Sequence, residues 1–128
     1  MILAGLALTG IAALIHVFIF YLESIAWTSD RARATFGTTA EEAETTKSLA
    51  LNQGFYNLFL AIAVIGGMIA FAVGQPVIGA TMVFVGAGSM VAASIVLIIS
   101  SPDKAGAALK QGVIPALGVI ALAIGLAL

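Results

Sequence analysis

The side chains able to do chemistry are few and gather in two short runs of an otherwise apolar chain. His16 and Glu23 stand seven residues apart. That spacing is close to two helical turns, so a helix carries both on one face. The second run is Asn52-Gln53-Gly54-Phe55-Tyr56-Asn57. On a helix Asn52 and Tyr56 share one face, and Gln53 and Asn57 share another. Gln111 adds an amide late in the chain. In a ligand site built from these groups, Glu23 is the principal charge or proton acceptor and His16 its deeper partner. Asn52, Gln53, Tyr56, Asn57 and Gln111 then orient the bound molecule. The competing role is structural, the same groups bonding one another across helices at an average of about 0.6 kcal/mol each. A metal is not expected, because one imidazole and one nearby carboxylate are too few ligands. No cofactor is indicated by any motif.

Other chemistries are excluded by what is missing. The chain has no cysteine, which removes disulfides, thiol catalysis and thiolate metal sites. It carries no phosphate loop, nucleophile elbow or zinc helix. Ser89 and Ser94 lie in an apolar stretch with no base nearby in sequence and read as packing or hydrogen-bonding serines. The net charge of −1 offers no basic field for nucleic acid.

The elements that must position the polar groups follow from composition. Of 128 residues, 62% are hydrophobic and only 9% charged, against about 25% charged in a soluble domain. Most of the solvent must be lipid. A spanning helix needs about 20 predominantly apolar residues. Stretches 2–27, 49–73 and 77–100 satisfy this, and a fourth runs over 102–128 once it starts at Ser101-Pro102-Asp103. Serine as N-cap, proline at the first position and an early aspartate make a good helix start. Pro115 interrupts the hydrogen bonding of this last helix at the carbonyl of Gln111. The expected fold is all-α, a four-transmembrane-helix bundle forming one integral membrane domain over 1–128. The first span is too long, and lacks the basic start, for a cleavable leader.

Loop one has structure of its own. Thr38 or Thr39 followed by Glu41 or Glu42 reads as a capping box, so helix two extends into the cytoplasm from about residue 40. Glu44 and Lys47 are spaced as a supporting pair. Arg31, Arg33, Lys47, Lys104 and Lys110 all fall in loops one and three, on one side of a four-span protein. The positive-inside rule makes that side cytoplasmic and puts both termini and the Gly74-Gln75-Pro76 turn outside. Glu23, the Asn52–Asn57 run and Gln111 then converge in the inner half of the bilayer. An ionisable or amide group in hydrocarbon is costly and should face the bundle interior.

Small residues recur at helical spacing: Gly66, Ala70 and Gly74 on helix two, Gly88 and Ala92 on helix three, Ala121 and Gly125 on helix four. Such ridges allow close helix approach, within the bundle and between copies in a homo-oligomer. The two halves of the chain share no repeat, so a single-chain inverted-repeat transporter is not expected.

Three resemblances add to this. The run His16 to Glu23, then Trp27, Phe36-Gly37, Asn52-Gln53-Gly54-Phe55-Tyr56-Asn57 and Lys110-Gln111-Gly112-Val113-Ile114-Pro115-Ala116 resembles the DUF1304 family of small bacterial membrane proteins. That resemblance spans nearly the whole chain and implies a bacterial plasma-membrane protein, without supplying a reaction. Size, topology and the long first loop are similar to the membrane-associated glutathione and eicosanoid enzymes known as MAPEG. That likeness implies an oligomer of four-helix subunits with a ligand among polar residues at the cytoplasmic end of helix two. The chain lacks their arginine-rich helix-two signature, so the architecture carries over and the chemistry does not. A helix-one glutamate in a short four-span chain also resembles the small multidrug-resistance transporters, whose loops are much shorter. The expected function is binding, with or without modification, of a lipophilic or amphipathic small molecule in a polar pocket of the cytoplasmic leaflet. The rival classes are a proton-coupled exporter and a structural subunit of a larger membrane complex.

Overall fold

A computed structural model describes residues 1–128, and all regular structure in it is helical. Helix α1 covers Ile2–Phe20 and continues as a π-helical turn over Tyr21–Ile25. The short helices α2, Asp30–Phe36, and α3, Ala40–Thr45, make up the first loop. Helix α4 covers Lys47–Ala72, α5 covers Pro76–Ser100, and α6 covers Ala105–Ala127 after a 3₁₀ turn at Pro102–Lys104. Four helical segments, Ile2–Ile25, Lys47–Ala72, Pro76–Ser100 and Pro102–Ala127, are long and apolar enough to cross a membrane.

The boundaries have local causes. The Ser29 hydroxyl accepts the Ala32 N–H at 3.2 Å and starts α2, and Gly37, with φ +66°, ends it in the left-handed conformation. Thr39 and Glu42 form a reciprocal capping box, Thr39 N–H to Glu42 at 2.8 Å and Glu42 N–H to Thr39 at 3.1 Å. The helical path from Ala40 to Ala72 is broken once, at Thr46. That break falls between Glu44 and Lys47, which form no ion pair; the one ion pair in the chain joins Arg33 to Asp30. Gly74, with φ +84°, turns the chain between α4 and α5, and Pro76 opens α5 where no N–H is required.

The long helices stand in a ring, α1 beside α4, α4 beside α5, α5 beside α6, and α6 back beside α1. The turn at Gly74 and the two chain ends lie at one end of the bundle, which we call the turn end. Loop one and the Ser101–Lys104 connection lie at the other, the charged end.

Packing at the turn end runs through glycine. A Cβ on Gly79 would meet the Gly67 carbonyl at 2.6 Å and the Phe71 N at 2.6 Å. One on Gly5 would meet the Leu122 backbone at 2.5 Å, and one on Gly118 the Thr9 N at 2.9 Å. No larger residue fits these crossings without separating the helices. The small-residue ridges are therefore used in a shifted register on two helices. Gly67 and Gly86 make the close contacts, while Gly66 meets only the tip of Met82 and Gly88 has open space. On α6 the expected Ala121 and Gly125 do face inward, Gly125 lying against Ile2. The central core is small and apolar: Ala12, Ala13, Ala61, Val64, Ala87 and Met90. Large apolar side chains cover the outside instead, among them Leu14, Ile69, Val85 and Val96. That inversion of ordinary burial is what a lipid surround demands.

Candidate functional site

The charged end is built differently. At the end of α1 the Ala26 N–H bonds the Tyr21 carbonyl at 2.9 Å, closing a turn one residue wider than an α-helix. There Ser24 donates to the Leu51 carbonyl of α4 at 3.0 Å. The α1–α4 crossing is set by Gly54, where a Cβ would collide with the Ser24 hydroxyl and approach the Phe20 carbonyl at 3.1 Å. The wide turn leaves both Leu22 and Glu23 buried.

Glu23 Oε2 accepts a hydrogen bond from Asn57 Nδ2 at 2.8 Å, which joins α1 to α4. The same amide nitrogen also reaches the Gln53 carbonyl at 3.2 Å. His16 lies two turns deeper and is buried. Its Nδ1 is 2.9 Å from the Ala12 carbonyl. A carbonyl can only accept, so Nδ1 carries the proton, and in the neutral ring Nε2 holds a lone pair with no protein partner.

His16, Glu23, Gln53, Asn57 and Gln111 line one cavity of about 450 Å³ between the helices, with Met90 and Leu60 on its apolar side. A second space of about 470 Å³ adjoins it at the charged end, sharing Glu23, Trp27, Gln53 and Lys104. These volumes fall in the range of about 300–1,000 Å³ usual for small-molecule sites. Trp27 and Phe36 roof the cavity, their rings 5.3 Å apart, and Trp27 is anchored by its indole N–H to Thr46 Oγ1 at 3.1 Å. At the rim the Thr38 hydroxyl is buried with no partner.

Five of the seven residues singled out in the sequence thus share this cavity, and two do not. Asn52 and Tyr56 lie on the opposite, exposed face of α4. Residues that sequence reasoning did not place here include Trp27, Met90 and Lys104. Trp27 had a signal, being four residues after Glu23 and so on its helical face. Lys104 had none, since it arrives from a distant loop. Ser94 is the hydrogen-bonding serine expected, donating to the Ala108 carbonyl at 2.7 Å.

Four helices able to span a bilayer, arranged as an all-helical bundle with an apolar exterior, define a multi-pass membrane protein. Within that class the chain belongs to the DUF1304 family, whose model, described as a protein of unknown function, matches residues 10–123. No curated protein and no solved structure matches it.

Proposed function

We propose that the protein binds an amphipathic small molecule in the cavity at its charged end. The observation that carries this reading is that the cavity walls leave hydrogen-bonding capacity unspent. Glu23 has one recorded partner, Asn57, and His16 Nε2 has none. A clasp whose purpose was to hold helices together would pair these groups with one another. Buried polar groups are almost always satisfied, so a site with spare acceptors is a site for a partner. The apolar side of the same cavity suits the rest of an amphipathic molecule. A continuous transport path finds less support, because glycine contacts close the bundle at the turn end.

The one-sided distribution of Arg31, Arg33, Lys47, Lys104 and Lys110 supports a charged end in the cytoplasm, with the cavity opening to the inner leaflet of a bacterial plasma membrane. Exposed Asn52, an amide within a spanning helix, supports a second copy of the chain against that face of α4, since an amide facing hydrocarbon is costly. The natural lack of cysteine makes that contact testable: a single Asn52→Cys should cross-link between subunits in the membrane.

The decisive experiment compares wild type with Glu23→Gln after purification from native membranes, by mass spectrometry of co-purifying small molecules and by melting temperature. Wild type should retain a discrete amphipathic species that Glu23→Gln loses while melting at a similar temperature. Equal retention by the two proteins would remove Glu23 from any ligand site.

A further inference from the structure

Beside the polar cavity, on the outside of the bundle, an apolar groove of about 170 Å³ runs between α1 and α6. Ile15, Ile19 and Leu22 form its floor, and Phe36 of α2 covers its upper end. Phe36, Ala107 and Gln111 line both this groove and the cavity that holds His16 and Glu23. The two spaces are therefore separated by the thickness of side chains.

We propose that the groove seats the hydrocarbon chain of the ligand whose head occupies the cavity, and that this ligand is a single-chain amphiphile with a cationic amine head. The inference rests on the reading of the cavity as a ligand site. Its first support is continuity, because one molecule passing the Phe36–Gln111 wall would occupy both spaces. Its second is size. The groove is smaller than the ~300 Å³ of a whole small-molecule site, so it fits part of a ligand, and it is narrow enough for one chain. Its third is depth. From Leu22 to Ile15 the helix rises about 10 Å, a large part of the roughly 15 Å of hydrocarbon in one leaflet. A tail lying there runs parallel to the lipid chains around it.

The head is assigned by the cavity's charge. Inside it the one carboxylate is Glu23, and His16 offers a lone pair, so both face a ligand as acceptors. Lys104 stands at the rim, where Asp103 and Glu42 line the same mouth and offset it. An ammonium donates up to three hydrogen bonds and pairs with a carboxylate. A carboxylate or phosphate head would meet Glu23 with like charge.

Trp27 is the one tryptophan of the chain and lines the cavity, so its emission reports on occupancy. The test uses full-length protein in nanodiscs, titrated with chain-brominated hexadecylamine, octylamine and palmitate, each expressed as mole fraction in the membrane. Hexadecylamine should quench Trp27 saturably at a mole fraction at least roughly tenfold below octylamine, reflecting the extra buried methylenes. Palmitate should quench only linearly, as a bulk lipid does. Ile15→Phe, which fills the deep end of the groove, should erase the chain-length advantage and leave octylamine unchanged. Phe18→Ala, which opens the groove wall, should reduce the same advantage and serves if Ile15→Phe melts early. A chain-length advantage that survives both variants would overturn the groove as the tail site, and saturable palmitate binding equal to the amine would overturn the assignment of the head. Octylamine binding that is abolished by Glu23→Gln would leave the cavity reading standing in either case. Octylamine that never saturates in wild type would defeat the cavity reading and this proposal together.

Discussion

The two ends of the bundle solve the problem of holding helices together in opposite ways. At the turn end backbone meets backbone across Gly5, Gly67, Gly79 and Gly118, and the polar side chains spend their hydrogen bonds on their own helices. Thr9 donates to the Gly5 carbonyl at 2.9 Å and Thr81 to the Val77 carbonyl at 2.8 Å. At the charged end the contacts pass through side chains, Ser24 to Leu51, Asn57 to Glu23 and Ser94 to Ala108, and space is left between them. In lipid no hydrophobic force presses helices together, so close packing and interhelical hydrogen bonds are the available adhesives. Close packing at one end permits an open, polar arrangement at the other. The lesson is a division of labour: stability concentrated where nothing is bound, and room concentrated where something is.

The comparison is broken most severely at its tight end. Gly79→Leu would drive a side chain into the Gly67 carbonyl and the Phe71 backbone, neither of which can step aside. Overpacking of this kind costs about 1–3 kcal/mol and occasionally more. We expect a value at or above the top of that range, read as loss of folded yield or a large drop in melting temperature. Gly88→Ala, with open space around its Cβ, should leave the melting temperature unchanged or raise it slightly.

A smaller effect is expected at the charged end. Gly54→Ala sets a methyl against the Ser24 hydroxyl, the end of a small side chain, rather than against backbone alone. It should cost about 1–2 kcal/mol. Adding Ser24→Ala should recover part of that loss, a coupling that a double-mutant cycle in thermal denaturation would measure. Full additivity of the two changes would show that the crossing does not depend on this contact.

Glu23→Gln tests the division of labour directly. It keeps shape and an oxygen for Asn57, so stability should change by less than about 1 kcal/mol, while the cavity loses its carboxylate and its ligand. Glu23→Ala should lower stability as well, because the Asn57 amide loses its partner. A Glu23→Gln protein as badly destabilised as Glu23→Ala would make the charged end a clasp.

The smallest effect lies in loop one. Hydrogen bonds from the Thr39 N–H and hydroxyl hold the Glu42 carboxyl below the ordinary carboxylate range. A carboxyl lowered on folding contributes stability that is present above its unfolded value and lost as pH falls through its folded value. An NMR titration should therefore find Glu42 titrating at lower pH than Glu41, with the difference shrinking in Thr39→Ala. No change at the turn end is expected across the same titration.

Much of this was legible in the sequence, and the boundary between what was and was not is physical. Spans were legible because a bilayer requires long unbroken apolar runs, and the polar cluster because polar groups in such runs are too costly to be incidental. The rotation of each helix was not. A helix apolar all round carries no stripe to say which face turns inward. Hence Gly67 and Gly86 make the contacts that Gly66 and Gly88 were expected to make, and Asn52 and Tyr56 point away from the cavity that Gln53 and Asn57 line. The Thr39–Glu42 box was legible because capping is local chemistry. The break at Thr46 left no comparable mark.

The wide turn over Tyr21–Ile25 has a consequence for how this chain tolerates changes in length. The turn holds one residue more than an α-helix would, so it works as a phase offset between the buried stem of helix α1 and the carboxylate beyond it. Deleting exposed Tyr21 would let the helix close as an ordinary α-turn, with its hydrogen-bond ladder complete and its apolar span nearly as long. Glu23 would nevertheless swing by about 100° around the axis, away from Asn57 and out of the cavity. A one-residue gap here is thus invisible to the membrane and decisive for the site. The same deletion made four residues earlier, inside the stem, would rotate the glycine crossings instead and be felt by the fold.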